Sequence, residues 1–334
     1  MKAIGYQTPG PASVLTEIDL PHPRATSHDL LVRVSAISVN PVDTKVRAGA
    51  TPETGQWKIL GWDAVGVVEE VGESVTRFRP GDRVFYAGSI TRPGTNAEFH
   101  LVDERISGHA PASLSDAQAA ALPLTAITAW EMLFDRLDIR RPVPGATNAV
   151  LIIGGAGGVG SIAIQLVRAL TDLTVITTAS RPETRDWVRD LGAHHVIDHS
   201  QPLAAQVGAL GIGAPGLVFS TTNTDQHLAG INDLIAPQGR FGLIDDPAAL
   251  DILPFKRKAV SVHWELMFTR PIFQTADMGE QGELLDEVAK LADAGRIHST
   301  VTEVLTPINA ANLARAHTLI ETSKARGKIV LEGW

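Results

Sequence analysis

The chain has 334 residues, 44% hydrophobic and 20% charged, with a formal charge of −8 and no cysteine. That length suits two domains and that composition a soluble globular protein; disulfides, thiolate catalysis and Cys-ligated zinc are excluded. No run of about 18 apolar residues exists, so no membrane span is expected. The only basic cluster is Lys256-Arg257-Lys258; it reads as a solvated strand end, and no nucleic-acid surface is expected. The N-terminus M-K-A-I-G-Y-Q has no long apolar core, so no signal peptide is read and a cytoplasmic location is expected.

The first part of the chain is rich in short β-like runs, at Leu30–Val39, Ala64–Val71, Asp82–Tyr86 and Glu98–Val102. Turn signals such as Pro9-Gly10-Pro11, Gly72-Glu73-Ser74 and Pro80-Gly81-Asp82 separate them, which predicts a β-rich domain. Ser115-Asp116 opens a long apolar helix to about Phe134, with either residue able to cap it. From Asn148 strands and helices alternate. Strands are predicted near Ala149–Ile153, Leu173–Thr178, His195–Ile197, Leu217–Ser220 and Arg240–Ile244, with Ala259–His263 as a sixth. Helices are predicted near Gly158–Leu170, Pro182–Leu191, Pro202–Leu210 and Gln226–Ile235. This rhythm implies an α/β fold with a doubly wound parallel Rossmann sheet. A helix near Glu280–Ala294, a strand near Thr300–Leu305, a helix near Ala310–Glu321 and a strand near Lys328–Leu331 complete the chain.

The first of these strands runs into the turn V-L-I-I-G-G-A-G-G-V-G-S, residues 150–161. Gly155, Gly157 and Gly160 fit G-x-G-x-x-G between a strand and a helix, which makes a dinucleotide pyrophosphate cradle. Gly155 is expected to allow the sharp turn, Gly157 to let the backbone approach the pyrophosphate, and Gly160 to let helix and strand pack closely. Gly157, Gly158 and Val159 would make the backbone contacts. The second strand of an NAD site usually ends in an acid that binds the ribose 2′-OH. Here it is followed by Ala179-Ser180-Arg181-Pro182. The hydroxyl of Ser180 and the charged fork of Arg181 suit a 2′-phosphate, so the expected cofactor is NADPH. In the alternative, Ser180 caps the next helix and Arg181 is merely exposed. His199 is read either as a neighbour of the adenosine phosphate or as a surface histidine.

Several segments together resemble the medium-chain dehydrogenase/reductase superfamily, and within it the zinc-free quinone oxidoreductase branch. They are Ser38–Gly49 (S-V-N-P-V-D-T-K-V-R-A-G), Gly61–Val68 (G-W-D-A-V-G-V-V), Pro80–Tyr86 (P-G-D-R-V-F-Y), Leu122–Trp130 (L-P-L-T-A-I-T-A-W), the glycine turn and Gly327–Leu331 (G-K-I-V-L). His263–Arg270 (H-W-E-L-M-F-T-R) is similar to a bacterial group labelled zinc-type alcohol dehydrogenase-like. The resemblance implies a GroES-like catalytic domain at 1–122 and 264–334 around an NADP-binding domain at 123–263. Zinc-using relatives bind metal through a Cys in the first motif and G-H-E at the second. Asn40-Pro41-Val42-Asp43 and Gly61-Trp62-Asp63 stand there instead, so no metal is expected.

The activity implied is NADPH-dependent hydride transfer to a quinone or an α,β-unsaturated carbonyl. A metal-free aldehyde or alcohol oxidoreductase and a non-enzymatic NADPH-binding sensor or structural protein are the alternatives. The resemblance carries Asn40 and Thr125 toward the nicotinamide and the substrate, Asn40 able to hydrogen-bond the carboxamide or the substrate carbonyl, with a turn residue before Pro41 and a helix back-bonding threonine as the bland readings; Thr128 is read alongside Thr125. It carries Lys328 toward the pyrophosphate and Phe268 and Arg270 toward the nicotinamide ribose. Trp57, Trp62 and Tyr86 are candidates for stacking on a flat substrate or for ordinary core. Tyr86, with an ordinary phenol pKa, is the best candidate acid, ahead of Lys45 and Asp43. A homodimer through the sixth strand of the cofactor domain, pairing Val260–Val262 across a two-fold axis, is also implied.

Overall fold

The computed structural model describes residues 1–334. They form two compact units, Met1–Ile127 with Phe268–Trp334, and Thr128–Met267. The boundaries fall a few residues beyond 122 and 263, in part because Leu124 is held within the first unit by Asp63.

The first unit opens with β1 (Lys2–Tyr6), β2 (Thr16–Asp19), β3 (Asp29–Val39), α1 (Pro41–Gly49), β4 (Lys58–Ile59) and β5 (Ala64–Val71). It continues through β6 (Arg83–Tyr86), β7 (Phe99–Asp103), β8 (Ser107–His109) and α2 (Asp116–Ala120) into α3 (Pro123–Trp130), within which the chain passes from the first unit to the second. The single helix expected from Ser115 to Phe134 is therefore broken. Ser115 does cap its start, its hydroxyl accepting from Gln118 N at 3.3 Å while Gln118 returns an acceptor to Ser115 N. Pro123 then interrupts the helical ladder and restarts it as the first residue of α3. A π-helical turn, Glu131–Arg136, follows.

The second unit is β9 (Thr147–Ile153), α4 (Gly158–Leu170), β10 (Thr174–Thr178), α5 (Pro182–Asp190), β11 (His195–Ile197), α6 (Leu203–Ala209), β12 (Pro215–Ser220), α7 (Thr224–Leu234), β13 (Arg240–Leu243) and β14 (Ser261–Trp264). Its sheet is six-stranded, in the order β11-β10-β9-β12-β13-β14, with every pair parallel. This is the doubly wound order that places a switch point beside β9. Leu151, Ile176, Val218 and Phe241 share its core; fully burying such side chains stabilises the fold by about 1.5–3 kcal/mol each. Lys256-Arg257-Lys258 closes a 3-10 turn rather than a strand end. Lys258 Nζ donates to the carbonyls of Asn232, Asp233 and Ile235, where a cation complements the C-terminal end of α7.

The chain then completes the first unit with α8 (Thr269–Phe273), α9 (Glu280–Asp293), β15 (Val301–Leu305), α10 (Ala310–Glu321) and β16 (Lys328–Glu332). Its larger sheet runs β15-β16-β3-β5-β6-β8, with β7 also on β3, and a smaller one runs β2-β1-β4. No helix is long and apolar enough to cross a membrane.

Candidate functional site

Three strand ends of the first unit meet at one buried polar cluster. β16 lies antiparallel to β3 with Ile329 opposite Val39, and β5 lies antiparallel to β3 with Ala64 opposite Ile37. Those registers bring Asn40, Asp63 and Lys328 together at the ends of their strands. Lys328 Nζ lies 2.9 Å from Asp63 Oδ2 and 3.1 Å from the Val39 carbonyl, and also donates to Asn40 Oδ1. Asp63 accepts in addition from Asn40 Nδ2 at 2.8 Å and from Leu124 N at 2.7 Å, so it anchors the start of α3. Asp43 Oδ2 accepts from Asn40 N at 2.7 Å and Oδ1 from Gly61 N at 3.0 Å. Burial pushes Asp43 up to about 7, opposed by the Asn40 N–H and by Lys328. Burial also pushes Asp63 up, opposed by Lys328 and the Leu124 N–H.

These contacts revise several expectations. Lys328 is not a surface lysine: it is buried, and its three donors are spent on Asp63, Val39 and Asn40. Asn40 caps α1 from a buried position, and both ends of its amide serve the cluster rather than standing open to a carboxamide. Thr125 is buried and its hydroxyl donates to Leu122 O at 3.0 Å, the back-bonding role; Thr128 is buried too.

Of the three aromatic candidates, Trp62 and Tyr86 are core and Trp57 is partly buried. Trp62 is 1% exposed, its indole N–H donates to Ser89 O, and its ring meets Phe268 edge-on at 5.9 Å between centroids. Phe268 is thus packed inside the first unit. Arg270 holds Asp277 at 3.0 Å. Trp57 packs on the Ala3–Ile59–Ala97 cluster. Lys45 is exposed on α1. Tyr86 is 0% exposed and stacks on His100, whose Nδ1 lies 3.2 Å from the phenol oxygen. Burial pushes the Tyr86 phenol far above its ordinary value and His100 down to about 4. Tyr86 is therefore not an acid of ordinary pKa, because no solvent or counter-charge supports its phenolate.

In the second unit the glycine turn joins β9 to α4. The sharp turn comes from Gly154, at φ +84, and not from Gly155. Gly155 is constrained by contact: a Cβ there would lie 2.0 Å from Thr177 Oγ1. A Cβ on Gly160 would lie 2.3 Å from Gly154 O, so this glycine does permit close packing of α4 on the turn. A Cβ on Gly157 would meet only Gly154 O, at 3.5 Å; its space is left open by the protein. Gly157 caps α4, so the N–H groups of Gly158, Val159 and Gly160 are those that a helix start leaves without helical partners.

At the tip of β10 the cap of α5 is Arg181, so Ser180 is not spent on capping. Arg181 Nε lies 3.3 Å from Glu183, both half-exposed, a weak pair that another anion can displace. His199 is exposed, its ring 6.4 Å from that of His227. Also on α5, Arg185 reaches the tip of β10 and Trp187 reaches Ser161 in α4, contacts that sequence spacing does not single out.

Residues 26–112 match the alcohol dehydrogenase GroES-like domain, and residues 191–331 match the zinc-binding dehydrogenase family. A zinc-type alcohol dehydrogenase-like protein of Staphylococcus aureus strain MSSA476 is 40% identical over 339 residues, covering 99% of each chain. The chain belongs to the medium-chain dehydrogenase/reductase superfamily. Among solved structures, a protein of Rhizobium etli CFN 42 named as a zinc-dependent alcohol dehydrogenase is 66% identical, with a TM-score of 0.99 over 100% of this chain and 98% of that one. The quinone oxidoreductase of Coxiella burnetii is 28% identical, with a TM-score of 0.81 over 100% of this chain and 99% of that one. As a member of this superfamily the chain is an oxidoreductase with a GroES-like and a Rossmann-like part.

The zinc in those names does not fit the donors of this superfamily member. Asp43 and Asp63 already accept from backbone N–H groups, and the Lys328 ammonium occupies Asp63. The Trp62 ring has no free lone pair for a metal. No group of three or more His, Cys, Asp or Glu residues is arranged to hold an ion, and catalytic zinc needs three protein ligands.

Proposed function

We propose that the protein is an NADPH-dependent, metal-independent reductase of quinones or α,β-unsaturated carbonyls. The observation that carries this reading is the Lys328–Asp63 ion pair, at 2.9 Å, at the motif where zinc-using relatives place a ligand histidine. An ammonium already neutralises that carboxylate, so the residues offer no Lewis acid to stabilise an alkoxide. Substrates electrophilic enough to accept hydride unaided then fit best, and the likeness to a quinone oxidoreductase supports that class.

When bound, NADPH supplies the hydride. The N–H groups of Gly158, Val159 and Gly160 hold the pyrophosphate, beside the open space at Gly157. Ser180 and Arg181 hold the 2′-phosphate; a carboxylate at the β10 tip, which would favour NADH, is absent. The proton that completes reduction comes from solvent, since the Tyr86 phenol is buried against His100. The outer strand of the cofactor unit, β14, which ends at Trp264 and is followed closely by Leu266, both 55% exposed, suits pairing with a second copy.

The test is NADPH oxidation in chelator-treated buffer with a quinone, an enone and a simple aldehyde in parallel. Turnover of the quinone or enone is expected. Turnover of the aldehyde alone would select the alcohol dehydrogenase-like alternative, and NADPH binding without any turnover would select a sensor.

A further inference from the structure

Helix α5 contacts both turns assigned above to phosphates, through two different side chains. Arg185 NH1 donates to the Ala179 carbonyl at 3.2 Å and NH2 to the Val196 carbonyl at 3.1 Å. One guanidinium thereby ties the end of β10 to β11, and it does so at the peptide that leads directly into Ser180 and Arg181. Its planar fork presents two donors in a fixed geometry, one to each of the two carbonyls. Two residues further on, Trp187 Nε1 donates to Ser161 Oγ at 2.8 Å. Ser161 is fully buried in the first turn of α4, and its hydroxyl donates on to the Gly155 carbonyl at 3.4 Å. The indole, the hydroxyl and the carbonyl form a chain with one donor and one acceptor at each link. The indole leaves the Ser161 proton only one productive direction, toward the glycine turn.

We propose that α5 braces both phosphate-holding turns, with Arg185 the positioning residue for Ser180 and Arg181, and Trp187, through Ser161, the positioning residue for the Gly154–Gly160 turn. The Arg185 half rests on the NADPH reading; the Trp187 half needs only a dinucleotide pyrophosphate. The two halves therefore separate by cofactor. Loss of Arg185 loosens the 2′-phosphate subsite and costs NADPH alone. Loss of Trp187 loosens the pyrophosphate turn that NADPH and NADH share. A purely structural role for either residue lowers thermal stability and leaves the folded protein's affinity for both cofactors unchanged.

The full-length protein and its variants are titrated calorimetrically with NADPH and with NADH, below the melting temperature of every variant. Arg185→Met is expected to weaken NADPH about tenfold and NADH by less than about twofold. Trp187→Phe is expected to weaken both by about fivefold. Ser161→Ala should reproduce the Trp187→Phe loss, and the double variant should lose no more than either single one. Equal effects of Arg185→Met on the two cofactors, or none, overturn the Arg185 assignment. An unchanged Trp187→Phe, or additive losses in the double variant, overturn the Trp187 assignment. If the wild type binds NADH as tightly as NADPH and Arg181→Ala changes neither, the NADPH reading fails and the Arg185 half falls with it; the NADH titrations still decide the Trp187 half.

Discussion

The Lys328 ammonium and the Asp63 carboxylate lie 2.9 Å apart with side-chain exposures of 3% and 0%, although 265 residues separate them in sequence. Breaking a buried pair by removing one partner leaves the other charge uncompensated. Lys328→Met is therefore expected to cost about 3–5 kcal/mol of stability by urea denaturation. Asp63→Asn keeps an oxygen for the Leu124 N–H and removes the charge, so combining it with Lys328→Met should restore much of the loss. Under stabilising conditions the folded Lys328→Met protein should bind NADPH with wild-type affinity. A tenfold loss, about 1.4 kcal/mol, would return the lysine to the cofactor site.

Tyr86→Phe separates a core phenol from a catalytic one. The imidazole of His100 donates through Nε2 to Pro93 O at 2.9 Å, which leaves Nδ1 to accept from the phenol. Removing the hydroxyl strands that acceptor in the interior and should cost about 1–3 kcal/mol of stability. Turnover should stay within about twofold of wild type, where loss of a general acid costs 10²–10⁴. A drop of that larger size in kcat would restore Tyr86 as the acid.

Local pattern in the chain was a good guide wherever a segment's own residues decide its conformation. α4 at Gly158–Leu170, β5 at Ala64–Val71, β11 at His195–Ile197 and α10 at Ala310–Glu321 fall where their apolar periodicity predicts. α1 carries its own start signal in the chain: Asn40, Pro41 and Asp43 are a cap, a first-turn proline and an acid at the third position. The motif points to Gly155 for the sharp turn and the structure places it at Gly154, because the pattern fixes spacing and not which glycine takes positive φ. The Lys328–Asp63 and Trp187–Ser161 contacts depend on strand register and helix packing, which no single segment encodes. Residue type alone suggested that Tyr86 and Trp62 serve the substrate; burial decided otherwise.

Glu265 gives the protein a pH-dependent weak point in the second unit. Its carboxyl is buried, hydrogen-bonded to Glu131 and 2.7 Å from Arg136 Nε. Burial and the Glu131 side chain push it up from 4.5 to about 8, opposed by Arg136. A carboxyl whose folded pKa is raised contributes stability below its unfolded pKa and loses that contribution as pH rises through the folded value. The wild type should therefore lose stability, on the order of a few kcal/mol, between about pH 4.5 and 8. Glu265→Gln should flatten that slope and be the more stable protein at pH 8. An unchanged slope in urea denaturation across this range would assign the proton elsewhere.

Two single-methyl additions distinguish the structural glycine of the turn from the binding one. Gly160→Ala places a Cβ 2.3 Å from Gly154 O and 2.6 Å from Gly155 Cα, both backbone atoms that cannot rotate away. It should cost about 1–3 kcal/mol of stability and weaken the cofactor as a consequence. Gly157 has φ −72, which alanine adopts freely, and its Cβ would meet only one carbonyl at an ordinary 3.5 Å. Gly157→Ala should thus unfold within about 0.5 kcal/mol of wild type. The new methyl would nevertheless stand where a pyrophosphate must approach the backbone, so NADPH and NADH affinity should both fall at least about tenfold. Thermal melts and calorimetric titrations of the two variants read these effects separately. If Gly157→Ala keeps both its stability and its affinity, the pyrophosphate does not lie over this turn.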